Sequence, residues 1–216
     1  MDARPSVFAK AAELAAEAGF DAVDIKACHR YLFSELLASH TRGGRYGGSY
    51  ENRTRILKDT VRAVRQAVGD RLEVTSRLNA HDAIEHPYGW GVDRQDKRKP
   101  DLAEPLRLVG ELAELGYGGI NISAGNPYFN PHVNRPAEKV LAGSAPPPEH
   151  PLAGTARIIG IARDILQDGR MDPAKVCITC CKCSQIMRDG GKSGCVVRDA
   201  AVYGPIYREG RKRAGG

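Results

Sequence analysis

The stretch RTRILKDTVRAVRQAVGDRLEVTSRLNA, residues 53–80, decides the fold class. Its first part spaces apolar side chains as one face of a helix requires, and these are Ile56, Leu57, Val61, Val64 and Val68. Gly69 then provides a natural helix end, and RLEVTSRLNA has the composition of a strand. The stretch therefore predicts a helix followed directly by a strand.

The same helix-then-strand order is found on both sides of this stretch. From Pro5, PSVFAKAAELAAEAG predicts a helix with Phe8, Ala12, Ala15 and Ala16 on one face, and FDAVDIKAC follows as a strand. Residues 102–116, LAEPLRLVGELAELG, predict a third helix before the strand YGGINISAG. Three such units predict an α/β fold with a parallel sheet, either doubly wound or a (β/α) barrel. In both, the functional site lies at the carboxyl ends of the strands, which carry Lys26, His29, Arg77, Asn79, Asn121 and Ser123.

Three segments follow from this pattern. Residues 1–124 form the predicted α/β part, and residues 125–154 are a proline-rich segment predicted to be a long loop. Residues 155–216 contain one amphipathic helix, a cysteine-rich segment and a basic tail that we expect to be solvated.

Composition narrows the class of protein. The 216-residue chain is 42% hydrophobic and contains no apolar run long enough for a membrane span. Its formal net charge is +6, but aromatic residues make up only 6%, which does not favour nucleic-acid binding. No leader pattern opens the sequence, so we expect a cytoplasmic protein, in which cysteines are kept as thiols.

The cysteines are the strongest chemical signal. In VCITCCKCSQIMRDGGKSGC, residues 176–195, a CxxCxxC motif is formed by Cys177, Cys180 and Cys183, and Cys195 follows after eleven intervening residues. Three thiolates from one loop and a distant fourth suit a [4Fe-4S] cluster. Zinc is the alternative, although it usually takes two CxxC pairs. The role of Cys181 is open.

A second candidate site is DIKACHRYL, residues 24–32. Lys26 and His29 could polarise a carbonyl or hold an anion, and the hydroxyl of Tyr31 could deliver a proton. The alternative is a structural His and Tyr at a strand end. Cys28 is either a nucleophile or a small packing residue, and packing is favoured.

The segment TRGGRYGGSYENRTR, residues 41–55, also has two interpretations. Its arginines could order a loop over the site. Alternatively it is a solvated, Arg-rich helix start that is capped by Ser49 or Asn52.

These motifs together resemble the Old Yellow Enzyme family of FMN-dependent NADH:flavin oxidoreductases. The resemblance lies in AAELAAEAGFDAVDIKACHRYL, YGGSYENRTR and VTSRLNA, in family order, over roughly residues 6–124. The cysteine segment, within roughly residues 170–208, is similar to the branch that includes 2,4-dienoyl-CoA reductase, which carries FMN and a [4Fe-4S] cluster.

The resemblance implies a role for each matching residue. Tyr31 would be the proton donor, His29 would hold the electron-withdrawing group of a small-molecule substrate, and Arg77 would face the N1 and O2 edge of the flavin. Cys177, Cys180, Cys183 and Cys195 would bind the cluster. NAD(P)H would be the reductant, and hydride would pass through FMN to an unsaturated or carbonyl-bearing substrate.

The sequence also departs from the family pattern. Lys26 stands where the first pocket His is expected, which favours an anionic ligand, and Arg30 replaces a usual Gly. The second and third cysteine ligands are one residue closer than in 2,4-dienoyl-CoA reductase.

The resemblance implies only about strands four to six of a (β/α)8 barrel, as in a chain shortened at its N-terminus and internally deleted. The strands that bind the FMN phosphate would be missing. A second copy or a complementing polypeptide would then cover the open sheet edges. The alternatives are a non-catalytic iron-sulfur or zinc fragment that has lost FMN, and a nonfunctional remnant.

Overall fold

The computed structural model describes residues 2–136, 148–167 and 200–213. The chain divides into two compact units, residues 1–176 and 177–216. In the first unit the elements are α1 (Arg4–Glu17), β1 (Ala22–Asp24), α2 (Leu32–Leu37), α3 (Tyr50–Val68), a 3-10 turn (Gly69–Arg71), β2 (Glu73–His81), α4 (Ala103–Glu114), β3 (Gly119–Ala124), α5 (Pro131–Asn134) and α6 (Pro151–Gln167). The described part of the second unit is helix α7 (Ala200–Arg213).

The sheet has three parallel strands in the order β1-β2-β3. Its register pairs Asp24 with Thr75, Arg77 with Asn121 and Asn79 with Ser123. The predicted α/β class and parallel sheet are therefore confirmed. Asn79 and Ser123 lie near the carboxyl ends of β2 and β3, whereas Arg77 and Asn121 lie in the middle of these strands.

Strand β1 is shorter than the sequence predicts. It covers three residues, although the Ile25 and Ala27 amides still donate to the carbonyls of Thr75 and Arg77 at 2.8 and 2.9 Å. His29 and Arg30 then both adopt φ of 59°, in the left-handed region that non-glycine residues rarely enter. This reversal leads the chain away from the sheet and into α2.

The hydrophobic core lies between the sheet and helices α1, α3 and α4. All five residues predicted on the inner face of α3 are buried, and Ala12 of α1 joins the same cluster with Phe8, Ala15 and Ala16 packed beside it. On β2, Val74 and Leu78 are fully buried while the intervening Thr75 and Arg77 are half-buried. Strand alternation therefore gives β2 an apolar face toward the core and a polar face on the other side.

The segment predicted to be a long loop contains regular structure. Residues 131–134 form the short helix α5, and helix α6 begins at Pro151. The Asn126 side chain accepts from the Tyr128 amide at 2.7 Å, and this turn precedes α5. The helix predicted from residue 155 is confirmed through Gln167.

Helix α7 covers most of the basic segment. It continues to Arg213, and Arg208, Lys212 and Arg213 are exposed on it. These basic residues are therefore solvated, as expected, but they lie on a helix. None of the described helices is long and apolar enough to cross a membrane.

Candidate active site

Lys26 and Tyr31 are in direct contact beyond the carboxyl end of β1. The Lys26 Nζ atom lies 3.5 Å from the centroid of the Tyr31 ring, which is a cation-π contact. The Tyr31 hydroxyl is 3.3 Å from the hydroxyl of Tyr128, and either oxygen can donate. Because the Tyr31 side chain is 49% exposed, its hydroxyl is accessible from outside the protein.

His29 is a neutral imidazole that is held by Asn134. Its Nε2 lies 3.3 Å from the Asn134 amide nitrogen, which also donates to the Ala124 carbonyl. Since that nitrogen is a donor, Nε2 accepts and the ring proton is on Nδ1. Burial, together with the charges of Arg77, Lys26 and Arg135, lowers the pKa of His29 to about 4. His29 can therefore donate a neutral hydrogen bond at physiological pH.

Arg77 projects from the middle of β2 on the polar face of the sheet. Its Nε atom is buried and has no hydrogen-bond partner in the described part of the chain. A buried guanidinium N–H without a partner is costly, so this geometry fits a bound group with an acceptor atom. The pyrimidine edge of a flavin, which the resemblance assigns to Arg77, is such a group.

Arg30 connects the loop after β1 with the loop after β2. Its guanidinium donates to the Tyr88 carbonyl at 2.8 Å, contacts Glu35 at 2.6 Å and approaches the buried carboxylate of Asp82 at 3.5 Å. Asp82 also accepts from the Trp90 amide at 3.0 Å. In the sequence analysis Arg30 is only a replacement for a usual Gly, whereas the structure makes it a bridge between two loops that border the site.

The ends of β2 and β3 are joined by a buried polar network. The Ser123 hydroxyl donates to the Asn79 side chain at 2.5 Å, and the Asn79 amide donates to Asp82 and to the Gly125 carbonyl, both at 2.8 Å. Asn130 donates to the Asp82 carbonyl at 2.9 Å. Asn79 and Ser123, which the sequence placed at the site edge, are therefore structural supports.

The Arg-rich segment at the start of α3 has a structural role, because it caps the helix and links it to neighbouring elements. Ser49 is the helix cap, because its hydroxyl accepts from the Asn52 amide at 3.3 Å. Arg53 is buried, so the interpretation of this segment as a solvated helix start does not hold for this residue. It donates to the carbonyls of Gly48 and Leu37 at 2.9 and 2.6 Å and pairs with Glu104 at 2.7 Å.

A polar cavity of about 310 Å³ lies beside the start of α3. Its charged and titratable lining residues are His40, Tyr50, Arg53, His86, Arg94, Asp101 and Glu104. No residue of the Lys26, His29, Tyr31 and Arg77 group lines it, so it is distinct from the candidate active site.

The cysteine predictions divide between described and undescribed residues. Cys28 is fully buried, and burial raises the pKa of its thiol to about 11, which supports packing rather than nucleophilic attack. Cys177, Cys180, Cys183 and Cys195 lie outside the described residues, so their role stays a prediction. Within residues 2–136, 148–167 and 200–213, no three His, Cys, Asp or Glu side chains are placed to hold a metal.

Several neighbours of the site were not found from the sequence. Asn134, Tyr128 and Arg135 come from the segment after β3, more than 90 residues from His29 and Tyr31. In the sequence, the only indication that these residues belong to the site is that their segment follows the carboxyl end of a strand, where site residues concentrate.

Comparison with known proteins identifies the family. A profile of the NADH:flavin oxidoreductase / NADH oxidase family matches residues 5–96. Dimethylamine dehydrogenase of Hyphomicrobium sp. is 30% identical over 94% of this chain and 31% of its own length. An NADPH dehydrogenase of Clostridium acetobutylicum is 43% identical over 52% of this chain and 32% of its length.

One solved structure supports the fold. A 2-naphthoyl-CoA reductase complex superimposes with a TM-score of 0.51 and 20% identity, covering 82% of this chain and 27% of the other. This likeness concerns the fold alone. The chain spans about a third of the length of the two curated relatives above. The profile match and these similarities show that residues 5–96 belong to the NADH:flavin oxidoreductase / NADH oxidase family.

Proposed function

We propose that this protein is an FMN-dependent oxidoreductase that reduces a small unsaturated or carbonyl-bearing substrate with NAD(P)H. The observation that carries the proposal is the buried Nε of Arg77, which has no hydrogen-bond partner in the part of the chain that the structure describes. Arg77 lies on the same sheet face as Lys26, and its charge helps to lower the pKa of His29. When bound, FMN would supply hydride transfer between the nicotinamide and the substrate.

The side chains have complementary roles in this proposal. Arg77 would bind the electron-rich edge of the cofactor and favour its reduced, anionic form. The Nδ1–H of His29 would hold the substrate oxygen, and Lys26 would add positive charge beside it. Tyr31 would give one proton to a carbon of the double bond. That proton and one hydride together saturate the bond, and NAD(P)H becomes NAD(P)+.

The cysteine segment adds a cluster to the proposal. Cys177, Cys180, Cys183 and Cys195 would hold a [4Fe-4S] cluster that passes single electrons. Zinc bound by the same thiolates is the alternative. The proposal includes a cytoplasmic location, where these thiols stay reduced, and a second copy or another polypeptide over the open edges of the sheet.

A second candidate function is supported by the same cysteine spacing. In that case the protein is an iron-sulfur or zinc module without FMN. The two candidates differ in whether Arg77 has a cofactor to bind.

Anaerobic purification with FMN, iron and zinc assays on one sample tests both. The oxidoreductase should contain FMN, about four irons per chain and NAD(P)H oxidation activity. Arg77→Met should lose FMN while keeping the wild-type circular dichroism spectrum. Arg62→Met, which removes an exposed arginine paired with Asp59 on α3, is the matched control and should retain FMN. Metal without flavin, even after incubation with FMN, would reject the oxidoreductase in favour of the module.

A further inference from the structure

We propose that the contact between His40 and His86 is a pH-sensitive latch. It holds the loop of residues 84–89 closed over the polar cavity at the start of α3, and it releases this loop when an imidazole is protonated. The inference goes beyond the proposed function, because it needs neither FMN nor the cysteine segment. It concerns the order of a loop, which can be measured without turnover.

The two imidazoles of the latch join segments that are distant in the sequence. His40 follows α2, His86 lies in the loop after β2, and their ring centroids are 5.0 Å apart with an angle of 52° between the ring planes. Both rings line the cavity and both are half-buried. A tilted ring contact is favourable for two neutral imidazoles, whereas two positive charges at this distance repel each other.

The other charged residues of the cavity do not offset a proton on these rings. Arg53 is buried and fixed in place, since its guanidinium donates to two backbone carbonyls and pairs with Glu104 at 2.7 Å. Asp101 accepts from a backbone amide at 3.1 Å, and Arg94 lines the same cavity. Tyr50 stays neutral because burial raises the pKa of its hydroxyl. Two arginines therefore balance two carboxylates, and a proton on either ring adds positive charge to the cavity.

The surroundings of His40 favour its neutral form. Burial and the charge of Arg53 lower its pKa from 6.5, and His86 lowers it further, while Glu104 and the Gly89 carbonyl oppose this change. The closed loop therefore binds a proton less well than an imidazole in solvent does. The contribution of His40 to the closed state is complete above about pH 6.5 and declines as pH falls below that value.

The outer contacts of the loop are weak, and one of them leads to the candidate active site. Glu85 pairs with Lys97, but both side chains are exposed, and such pairs contribute little to stability. The Tyr88 carbonyl accepts from Arg30 at 2.8 Å. Because Arg30 precedes Tyr31, release of the loop would also free the guanidinium that fixes the segment of the proposed proton donor. The latch would thereby couple pH to the order of the active site.

Trp90 reports on this loop, because it is the only tryptophan in the sequence. It directly follows residues 84–89, is 1% exposed and lies against Tyr50 and Arg53, which both line the cavity. Opening of the loop would admit water and small solutes to the indole. Acrylamide quenching of tryptophan fluorescence therefore measures the state of the latch without cofactor or substrate.

Acrylamide quenching of the purified full chain between about pH 7.5 and about pH 5, with circular dichroism of the same samples, tests the inference. We expect the quenching constant to rise below pH 6.5 while the circular dichroism spectrum is unchanged. The ratio of open to closed loops should grow by up to about tenfold per pH unit, because one proton is taken up. His40→Gln and His86→Gln keep a neutral polar side chain and should each remove most of this rise. His132→Gln, on α5 and outside the cavity, is the matched control and should behave as the wild type.

The outcomes separate this inference from the proposed function. A quenching constant that does not change with pH, or that rises equally in the wild type and both variants, would overturn the latch even if the protein contains FMN and oxidises NAD(P)H. A rise that coincides with loss of the helical circular dichroism signal would also overturn it, because the whole chain would then be unfolding. A rise that requires both His40 and His86 in a chain without FMN would support the latch while the oxidoreductase proposal failed.

Discussion

Arg30 reaches across the site edge to the buried carboxylate of Asp82, 3.5 Å away, from a backbone held at φ of 59°. The adjacent His29 has the same φ. A left-handed conformation costs a non-glycine residue about 1–2 kcal/mol. The contacts of Arg30 with Asp82, Glu35 and the Tyr88 carbonyl offset that cost and fix the loop that carries His29 and Tyr31.

This relationship predicts that Arg30→Gly is more stable than Arg30→Ala. Both variants lose the guanidinium contacts, but only glycine removes the conformational cost, so the two free energies of unfolding should differ by about 1 kcal/mol. Urea denaturation followed by circular dichroism measures the difference. Equal midpoints would show that the left-handed backbone at Arg30 carries no cost.

Asp82→Ala should destabilise the protein more strongly, by about 3 kcal/mol. Its loss leaves the Trp90 N–H and one hydrogen of the Asn79 amide without an acceptor in a buried place, and it removes one of the contacts of Arg30. Asp59→Ala, which breaks an exposed i,i+3 pair with Arg62, is the control and should scarcely move the urea midpoint. Similar small effects of the two substitutions would contradict the buried network.

The imidazole of His29 should titrate near pH 4 in the folded protein. Its pKa is lowered from about 6.5 by burial and by the charges of Arg77, Lys26 and Arg135. The folded state therefore binds fewer protons than the unfolded state between these two values. The contribution of His29 to stability is complete above about pH 6.5 and falls as pH falls toward 4.

A proton NMR titration, assigned by comparison with His29→Asn, measures this pKa. Lys26→Gln and Arg77→Met should each raise it, because each removes one neighbouring positive charge, and Lys10→Gln should leave it unchanged. A wild-type value close to 6.5 would mean that the imidazole is solvated rather than held among the cations.

Periodicity was sufficient for the elements that carry the core. The apolar spacing of residues 56–68 predicted helix α3 and its buried face, and Pro5 and Gly19 bracketed α1 within two residues. These elements are long and amphipathic, so burial of one face determines them. The shortening of β1 was not foreseen because it depends on the turn at His29 and Arg30.

Only the part of the candidate site that comes from one short stretch of sequence could be predicted. Lys26, His29 and Tyr31 lie within six residues, so one strand end placed them together. Asn134, Arg135 and Tyr128 reach the same place through tertiary packing of the segment after β3, which proline content had marked as irregular. Sequence spacing carries no information about such contacts.

Close backbone packing beside the site gives a last prediction, on Gly91. A Cβ at this position would lie 1.9 Å from the Ala80 carbonyl oxygen at the end of β2, and its φ is 64°. At Gly19, φ is 80° but nothing lies within 4 Å of the place that a Cβ would take. Gly19→Ala therefore isolates the cost of the left-handed backbone, about 1 kcal/mol. Gly91→Ala adds a collision with the main chain of β2, and we expect the strand to move in order to relieve it.

We expect Gly91→Ala to lose several times the stability lost by Gly19→Ala, as measured by urea denaturation of both variants beside the wild type. The movement of β2 should also reach Arg77, three residues before Ala80, so Gly91→Ala should reduce FMN content even in the fraction that stays folded. Equal stability of the two variants would mean that the loop around Gly91 yields without disturbing the strand. In that case Arg77 would not depend on the loop for its position.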